Sequence, residues 1–284
     1  MSFSPEPAQH LVAYYERKTR EILRRYGPGP RVHYHTGLVD EPPRPGASAE
    51  FLRRQLCDAQ ERTLRYAAGA WRARSTLCGD ILDVGCGLGG GAIFWAQEFG
   101  ANVTAVTIAP SHIKLVAEFA AHAGVESRVR PLLSDALAVP GESCFDAAVA
   151  IDSSSSFPRG PWFRCLKRLL RPDGHVFIFD CFLGRSEYEE RFNRHWHAQI
   201  GTIDEYLAAA REGHFELESI EDVSLQALNF WTTTLALMRA QWRDPTLGTI
   251  ERTKLEESLA IHAFVRKGLL DGGLSHVLMS LVKQ

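Results

Sequence analysis

The sequence predicts an α/β fold built on a doubly wound parallel sheet. Two observations carry that class. From Asp80 onward, short apolar runs alternate with stretches of helical spacing, the rhythm of a parallel sheet covered on both faces. A glycine-rich turn, Asp83 through Gly91, directly follows the first run and opens a helix. Right-handed crossovers between such strands wind the chain to both sides of one sheet.

The elements follow in order. Seven of the 14 prolines fall in the first 45 residues. Between them the spacing predicts a helix over 9–26, which Gly27-Pro28-Gly29-Pro30 must end. Its residues Leu11, Tyr15, Ile22 and Tyr26 share one face and need an apolar surface, from this chain or a neighbour, so a homo-oligomer is expected. A second helix is expected over 50–72, and residues 1–75 together read as a helical arm, with 1–45 as a lid. Strands are expected at 81–85, 102–108, 128–132, 145–151 and 175–182. The helices between them run to Phe99, over 110–122, and through Trp162, Phe163, Leu166 and Leu169. A helix at 203–211, a strand at 215–224, helical texture over 225–270 and a strand at 275–283 complete the chain. The main domain is thus 76–284, with helical insertions at about 184–213 and 225–272.

Composition narrows the function. At 45% hydrophobic and 23% charged residues, the chain has the balance of a soluble globular protein. A net charge of −2 argues against phosphate-backbone binding, so no nucleic-acid partner is expected. No apolar run approaches the ~18 residues of a membrane span, and no membrane partner is expected. The start, MSFSPEPAQH, lacks the basic and apolar parts of a signal peptide. The 6 cysteines form no CxxC pair, which suggests neither zinc nor a redox motif; no metal site is expected. Reduced thiols and a cytoplasmic location are the expectation.

The glycines of Asp83-Val84-Gly85-Cys86-Gly87-Leu88-Gly89 let the backbone turn sharply and approach a ligand, at a helix start with free N–H donors. A dinucleotide site more usually lacks an acid two positions before the first glycine. The acid-bearing form resembles the first motif of class I S-adenosylmethionine-dependent methyltransferases, and an acid there suits a ligand bringing an ammonium and a sulfonium. The resemblance covers about residues 80–183. It implies a Rossmann-like seven-stranded sheet with the last strand antiparallel, S-adenosylmethionine as cofactor, and Asp83, Gly85, Cys86, Gly87 and Gly89 as cofactor residues. Ser134-Asp135-Ala136 follows the third strand, where the family places an acid on the adenine. Leu169 through His175 matches the family's turn before strand five, a turn set by Pro172 and Gly174. Thr107 stands where many members carry an acid for the ribose. The pattern VTAVTIAPSH resembles the subgroup with cyclopropane-fatty-acid synthases and tocopherol methyltransferases, which implies Ile108 and His112 near ribose and adenine. His112 replaces a usual Gln, and an ordinary first-turn helix residue is the other reading of it.

The arm carries a second cluster. Tyr14-Tyr15, Tyr26 and RVHYHTGL at 31–38 resemble the stretch that precedes the glycine motif in the same subgroup. The resemblance implies that Tyr15 and His35 cover the methionine end of the cofactor. An aromatic, His-rich cover excludes water and can contact a cation through ring faces. The alternative is that these rings only pin the arm to the core.

Ile151-Asp152-Ser153-Ser154-Ser155-Ser156-Phe157 follows strand four at the carboxyl edge, where open α/β sheets bind substrates. Asp152 sits in an acid position of the family, and Ser156 replaces a common His. Asp152 has three readings: a catalytic group, an orienter of the cofactor, or a solvated loop acid. The neighbouring serines are expected to orient it. Aromatics expected over this edge are Phe157, Trp162, Phe182, Tyr188, Trp196, Tyr206, Phe230 and Trp231, and Tyr14, Phe157, Trp162, Trp196 and Trp231 are expected to line a substrate pocket. Each is also a candidate for plain core packing. The stretch from Phe192 to Ser224 resembles bacterial isoprenoid C-methyltransferases of the teleocidin type, with geranyl diphosphate C-methyltransferases more distant. That implies methylation of a prenyl or terpenoid carbon on a small apolar substrate. O- or N-methylation of a natural product is the alternative, and a non-catalytic metabolite-binding module is the reading from another class.

Overall fold

The computed structural model describes residues 6–284, with side chains described at residue 9 and from residue 11 on. The first five residues of the expected arm lie outside the described residues. Helix α1 spans Glu6–Tyr26 and α2 spans Ala49–Ala70. Five parallel strands follow: β1 (Asp80–Val84), β2 (Asn102–Thr107), β3 (Val129–Leu133), β4 (Phe145–Ile151) and β5 (Leu170–Leu183). They alternate with α3 (Gly90–Phe99), α4 (Pro110–His122) and α5 (Arg159–Leu169). Then come α6 (Glu189–Trp196), α7 (Ile203–Glu212), β6 (Phe215–Asp222), α8 (Ser224–Trp242), α9 (Thr249–Asp271) and β7 (Leu274–Lys283).

The seven strands form one sheet in the order β3-β2-β1-β4-β5-β7-β6, and β7 runs antiparallel to both neighbours. This is the seven-stranded arrangement, last strand antiparallel, that the resemblance above implies. The strand order reverses between β1 and β4, so the loops after these strands part there and open a crevice at their carboxyl ends. One face of the sheet packs on α2, α3 and α4, around Trp71, Phe94, Trp95 and Phe177. The other packs on α5 and α7, around Trp162, Phe163, Leu166 and Tyr206. Helix α3 is buried nearly all round, as its run Ala92-Ile93-Phe94-Trp95-Ala96 requires.

The turn expected at 169–175 lies inside β5. Phe145 pairs with Leu170 and Ala147 with His175, so Arg171–Gly174 bulge out of the ladder. Asp173 takes φ +59 there. Arg171 anchors the bulge on Asp80 at 2.8 Å and Asp146 at 2.7 Å.

The apolar face of α1 meets α2 and α4 of its own chain, and Ile22 is buried. Residues 31–40 are built into the body. Val32, Leu38 and Val39 are buried, and the Leu38 N–H donates to Thr63 Oγ1 at 2.8 Å. Asn229 on α8 donates to the carbonyls of Val39 and Asp40 at 3.1 and 2.9 Å. Helix α1 and the turn after it are tied as well: Arg53 donates to the carbonyls of Arg25 and Gly27, and the Ser111 N–H donates to Glu16 Oε1 at 2.9 Å. Asn229→Ala strips two carbonyls of their donor and is expected to lower stability by about 1–3 kcal/mol, read as a lower urea midpoint. An unchanged midpoint would show that these bonds do not hold the segment.

Candidate active site

A cavity of about 240 Å³ opens at the crevice between β1 and β4. Its first wall is the glycine turn. Gly85 and Gly87 adopt φ +76 and +54, the left-handed region. A Cβ on Gly85 would strike Ser153 at 2.7 Å, while one on Gly87 would meet no protein atom within 4 Å and would fill open cavity. Asp83 lies buried at the end of β1, where burial alone pushes its carboxyl up to about 7.

Opposite the glycines stand Thr107, Ile108 and His112 from the end of β2 and the start of α4, then Ser134, Asp135 and Ala136 after β3. Asp135 Oδ1 caps the Leu137 N–H at 2.8 Å. His112 is buried between the cavity and α1. Thr19 Oγ1 gives its one proton to the Tyr15 carbonyl at 2.8 Å, so it accepts from His112 Nε2 at 2.9 Å. Burial lowers the pKa of this imidazole. Tyr15 packs edge-on near it, with ring centres 6.3 Å apart.

The far wall is acidic. Asp152, at φ +47, is held at both oxygens: the Thr36 N–H donates to Oδ2 at 2.5 Å, and His276 Nε2 donates to Oδ1 at 2.9 Å. Burial works against its charge, but His276, the Thr36 N–H and His35 outweigh it and hold the carboxyl below its ordinary range. Asp180 stands beside it. Ser154 Oγ and the Ser155 N–H donate to its Oδ2 at 2.6 and 3.0 Å, and the Cys181 N–H to Oδ1 at 2.7 Å. Burial first, then the Asp152 charge, push Asp180 up to about 6. His35 lines the same region; its Nδ1–H donates to the Thr36 carbonyl at 2.8 Å, and burial lowers its pKa to about 4.

Residues 81–174 match a family described as a methyltransferase domain. The 27-O-demethylrifamycin SV methyltransferase of Amycolatopsis mediterranei is 30% identical over 63% of this chain and 69% of its own length. The chain belongs to the class I S-adenosylmethionine-dependent methyltransferases. A geranyl diphosphate 2-C-methyltransferase of Streptomyces lasalocidi is 26% identical over 80% of this methyltransferase and 81% of that enzyme. A solved geranyl diphosphate methyltransferase, in complex with GPP and sinefungin, superposes with a TM-score of 0.80 at 20% identity. It covers 98% of this chain and 99% of its own, which shows the common fold.

S-adenosylmethionine is the cofactor of this methyltransferase. The cavity fits it. The open space over Gly87 accepts a ligand where a side chain would intrude, and Asp83, buried just behind the glycine turn, is an acid whose charge a ligand ammonium can favour across that turn. Of the residues expected from sequence, Tyr15, His35, Gly85, Gly87, Thr107, Ile108, His112, Ser134, Asp135, Ala136 and Asp152 meet in one cavity, with Phe157, Trp196, Phe230 and Trp231.

Other expectations require correction. Tyr14 packs against Tyr15 and His197, with ring centres at 5.3 and 5.0 Å, and is absent from the cavity lining. Trp162 is fully buried beneath the sheet beside Phe163, because the face of α5 that carries it turns inward. Phe182 and Tyr206 pack on each other in the same layer, and Tyr188 packs on Phe264. Asp83, Cys86 and Gly89 stand behind the lining: a Cβ on Gly89 would meet Val116 of α4 at 2.9 Å, so that glycine serves helix packing. The serines orient Asp180 instead of Asp152, and Ser153 Oγ donates to the Val84 carbonyl at 2.6 Å. Asp180 and His276 escaped the sequence reading. Each is a polar residue inside an apolar strand, which is the signal that could have found them.

With cofactor absent, Asp83 is half protonated near pH 7; a bound ammonium favours its charged form, so binding releases a proton. Affinity for S-adenosylhomocysteine is expected to fall as pH drops from about 7.5 to about 5.5, by up to roughly tenfold per unit. Asp83→Asn is expected to flatten that slope. Calorimetry showing the same slope in both proteins would remove Asp83 from ammonium binding.

Proposed function

We propose that this methyltransferase transfers a methyl group to a carbon of a prenyl or terpenoid group on a small apolar acceptor. The observation that carries this reading is the state of Asp152. Its carboxylate is half-buried, fixed by two donors and held below the ordinary range. Such a group is a poor proton acceptor and a good fixed negative charge. An O–H or N–H acceptor is served by a base with a pKa nearer neutrality, a part open to Asp180 but not to Asp152. An alkene carbon needs no base before attack; it needs a negative charge or a ring face near the cation that remains. Asp152 supplies the charge, and Phe157, Phe230 and Trp231 supply faces. Asp180, pushed up to about 6, is the better proton acceptor of the two acids.

In this reading Gly85, Gly87, Thr107, Ile108, His112 and Ser134 through Ala136 hold the adenosine part. Tyr15 and His35 close over the methionine part, with α1 as the lid. The cofactor supplies an electrophilic methyl group; the chain aligns the acceptor and excludes water. The match to a geranyl diphosphate 2-C-methyltransferase over four-fifths of both chains supports carbon as the target. The match to a 27-O-demethylrifamycin SV methyltransferase favours O-methylation of a natural product as the second reading.

Asp152→Asn keeps the size and tolerates the same backbone conformation while removing the charge. Turnover is expected to fall at least ~100-fold, about 2.7 kcal/mol of transition-state stabilisation, with cofactor affinity within a few-fold of the parent. Prenylated indoles, prenyl alcohols and phenols with labelled cofactor provide the assay. Equal losses of affinity and turnover would make Asp152 a cofactor ligand, and near-normal turnover would remove it from the mechanism.

A further inference from the structure

Beyond the acid wall the cavity runs into a chamber between α1, α6, α8 and α9, walled by Phe192, Trp196, Trp231 and Val265. Four basic side chains from three elements line this part: Lys18 and Arg25 of α1, His195 of α6 and His262 of α9. Glu21 lies 3.1 Å from Lys18 and 3.9 Å from Arg25, so one carboxylate is shared between two cations. His262 is fixed in one tautomer. Its Nδ1 lies 2.5 Å from the Ser258 carbonyl, one turn back along α9. A carbonyl only accepts, so Nδ1 carries the proton and Nε2 keeps a lone pair. Burial, with Arg25, His195 and Lys18 nearby, lowers the pKa of this ring to about 3. Burial and Lys18 lower that of His195 to about 4. Trp231 holds the His262 ring in place, with centres 5.0 Å apart.

The chamber is therefore bipolar. Asp152 and Asp180 belong to one polar group with His276 and Thr36, the neutral imidazoles of His195 and His262 to another with Lys18, and apolar rings line the same cavity. We propose that His262 is the head-group residue of the acceptor site, its Nε2 accepting a hydrogen bond from a neutral donor: an alcohol, a phenol or a ring N–H. The apolar body of the acceptor then lies along Trp231 and Trp196 and delivers its alkene to Asp152. The assignment of the reacting end rests on the carbon-methylation reading above; the hydrogen bond does not. A diphosphate head fits His262 poorly, because an Nε2 lone pair repels an anion and Glu21 already offsets part of the charge of Lys18 and Arg25.

Three ligands with one body test this: geraniol, geranyl methyl ether and geranyl diphosphate, titrated into the full chain with S-adenosylhomocysteine and followed by tryptophan fluorescence. Geraniol is expected to bind about tenfold tighter than the ether, and at least as tightly as the diphosphate. His262→Phe keeps a ring against Trp231; it is expected to bring geraniol down to the ether and leave the ether unchanged. Tighter binding of the diphosphate, an ether equal to the alcohol, no binding by any of the three, or an alcohol advantage that survives His262→Phe would each overturn the proposal. A turnover arm with methyl-labelled cofactor separates the two readings. Geranyl methyl ether as the product would end the carbon-methylation reading, while the binding comparison alone decides the hydrogen bond to His262.

Discussion

A half-buried negative charge on Asp152 is the constraint around which the site is assembled. A carboxylate stays ionised out of water only if donors replace the water it loses. Here the donors come from opposite ends of the chain: the Thr36 N–H lies 116 residues before Asp152, and His276 lies 124 residues after it. The N-terminal segment and the last strand are thereby tied to the loop after β4. Thr36 reaches Asp152 because Leu38, Val39 and Asp40 are bonded to α2 and α8 on their far side. His276 reaches it because β7 pairs antiparallel with β5 and sets His276 opposite Cys181, next to Asp180. The antiparallel seventh strand thus has a chemical consequence as well as a topological one: it carries a histidine to the site from a strand that ends the fold.

Two acids close together cannot both hold a charge cheaply, and the structure divides them by their partners. Asp152 has an imidazole and is held low; Asp180 has only hydroxyl and amide donors and is pushed up by burial and by its neighbour's charge. The pair therefore offers a fixed anion and a proton acceptor side by side, two roles set by environment from one residue type. His112 plays a comparable linking part on the cofactor side. Its ring joins Thr19 of α1 to the wall that carries Thr107, so α1 and the cofactor cleft share a buried hydrogen bond.

Much of this was legible in the sequence. The strands at 81–84, 102–107 and 145–151 and the helix at 110–122 follow from apolar runs and from Gly and Pro at their ends, which are local signals. The glycine turn and Ser134-Asp135-Ala136 were legible for the same reason: each sits next to a strand end that the pattern locates. What stayed hidden depends on long-range pairing. Nothing within a few residues of His276 says that it faces Asp152; only the β5–β7 register does. Nothing near Trp162 says that its helix turns it beneath the sheet, because Phe157, Trp162 and Phe163 lie within one turn or two and a period alone does not choose which of them faces the cavity.

The same logic explains why the imidazoles of α6 and α9 were silent. On a solvent-facing helix a histidine titrates near its ordinary value and carries no special meaning. His262 differs because burial and nearby cations deny it a second proton, and the Ser258 carbonyl takes the proton it has. A residue type that is ambiguous in isolation becomes a defined acceptor once its neighbours are fixed. In the proposed reading the acids and the imidazoles then read an elongated acceptor in opposite senses. One favours positive charge as it develops, and the other favours a donor already present. An acceptor bound backwards would set its donor against Asp180 and its alkene against neutral nitrogen, which offers a developing cation far less than a carboxylate does. In that reading, orientation in this cavity is a matter of electrostatics as much as of shape, and it follows from where four side chains on α6, α9, β5 and the loop after β4 have been denied or granted their protons.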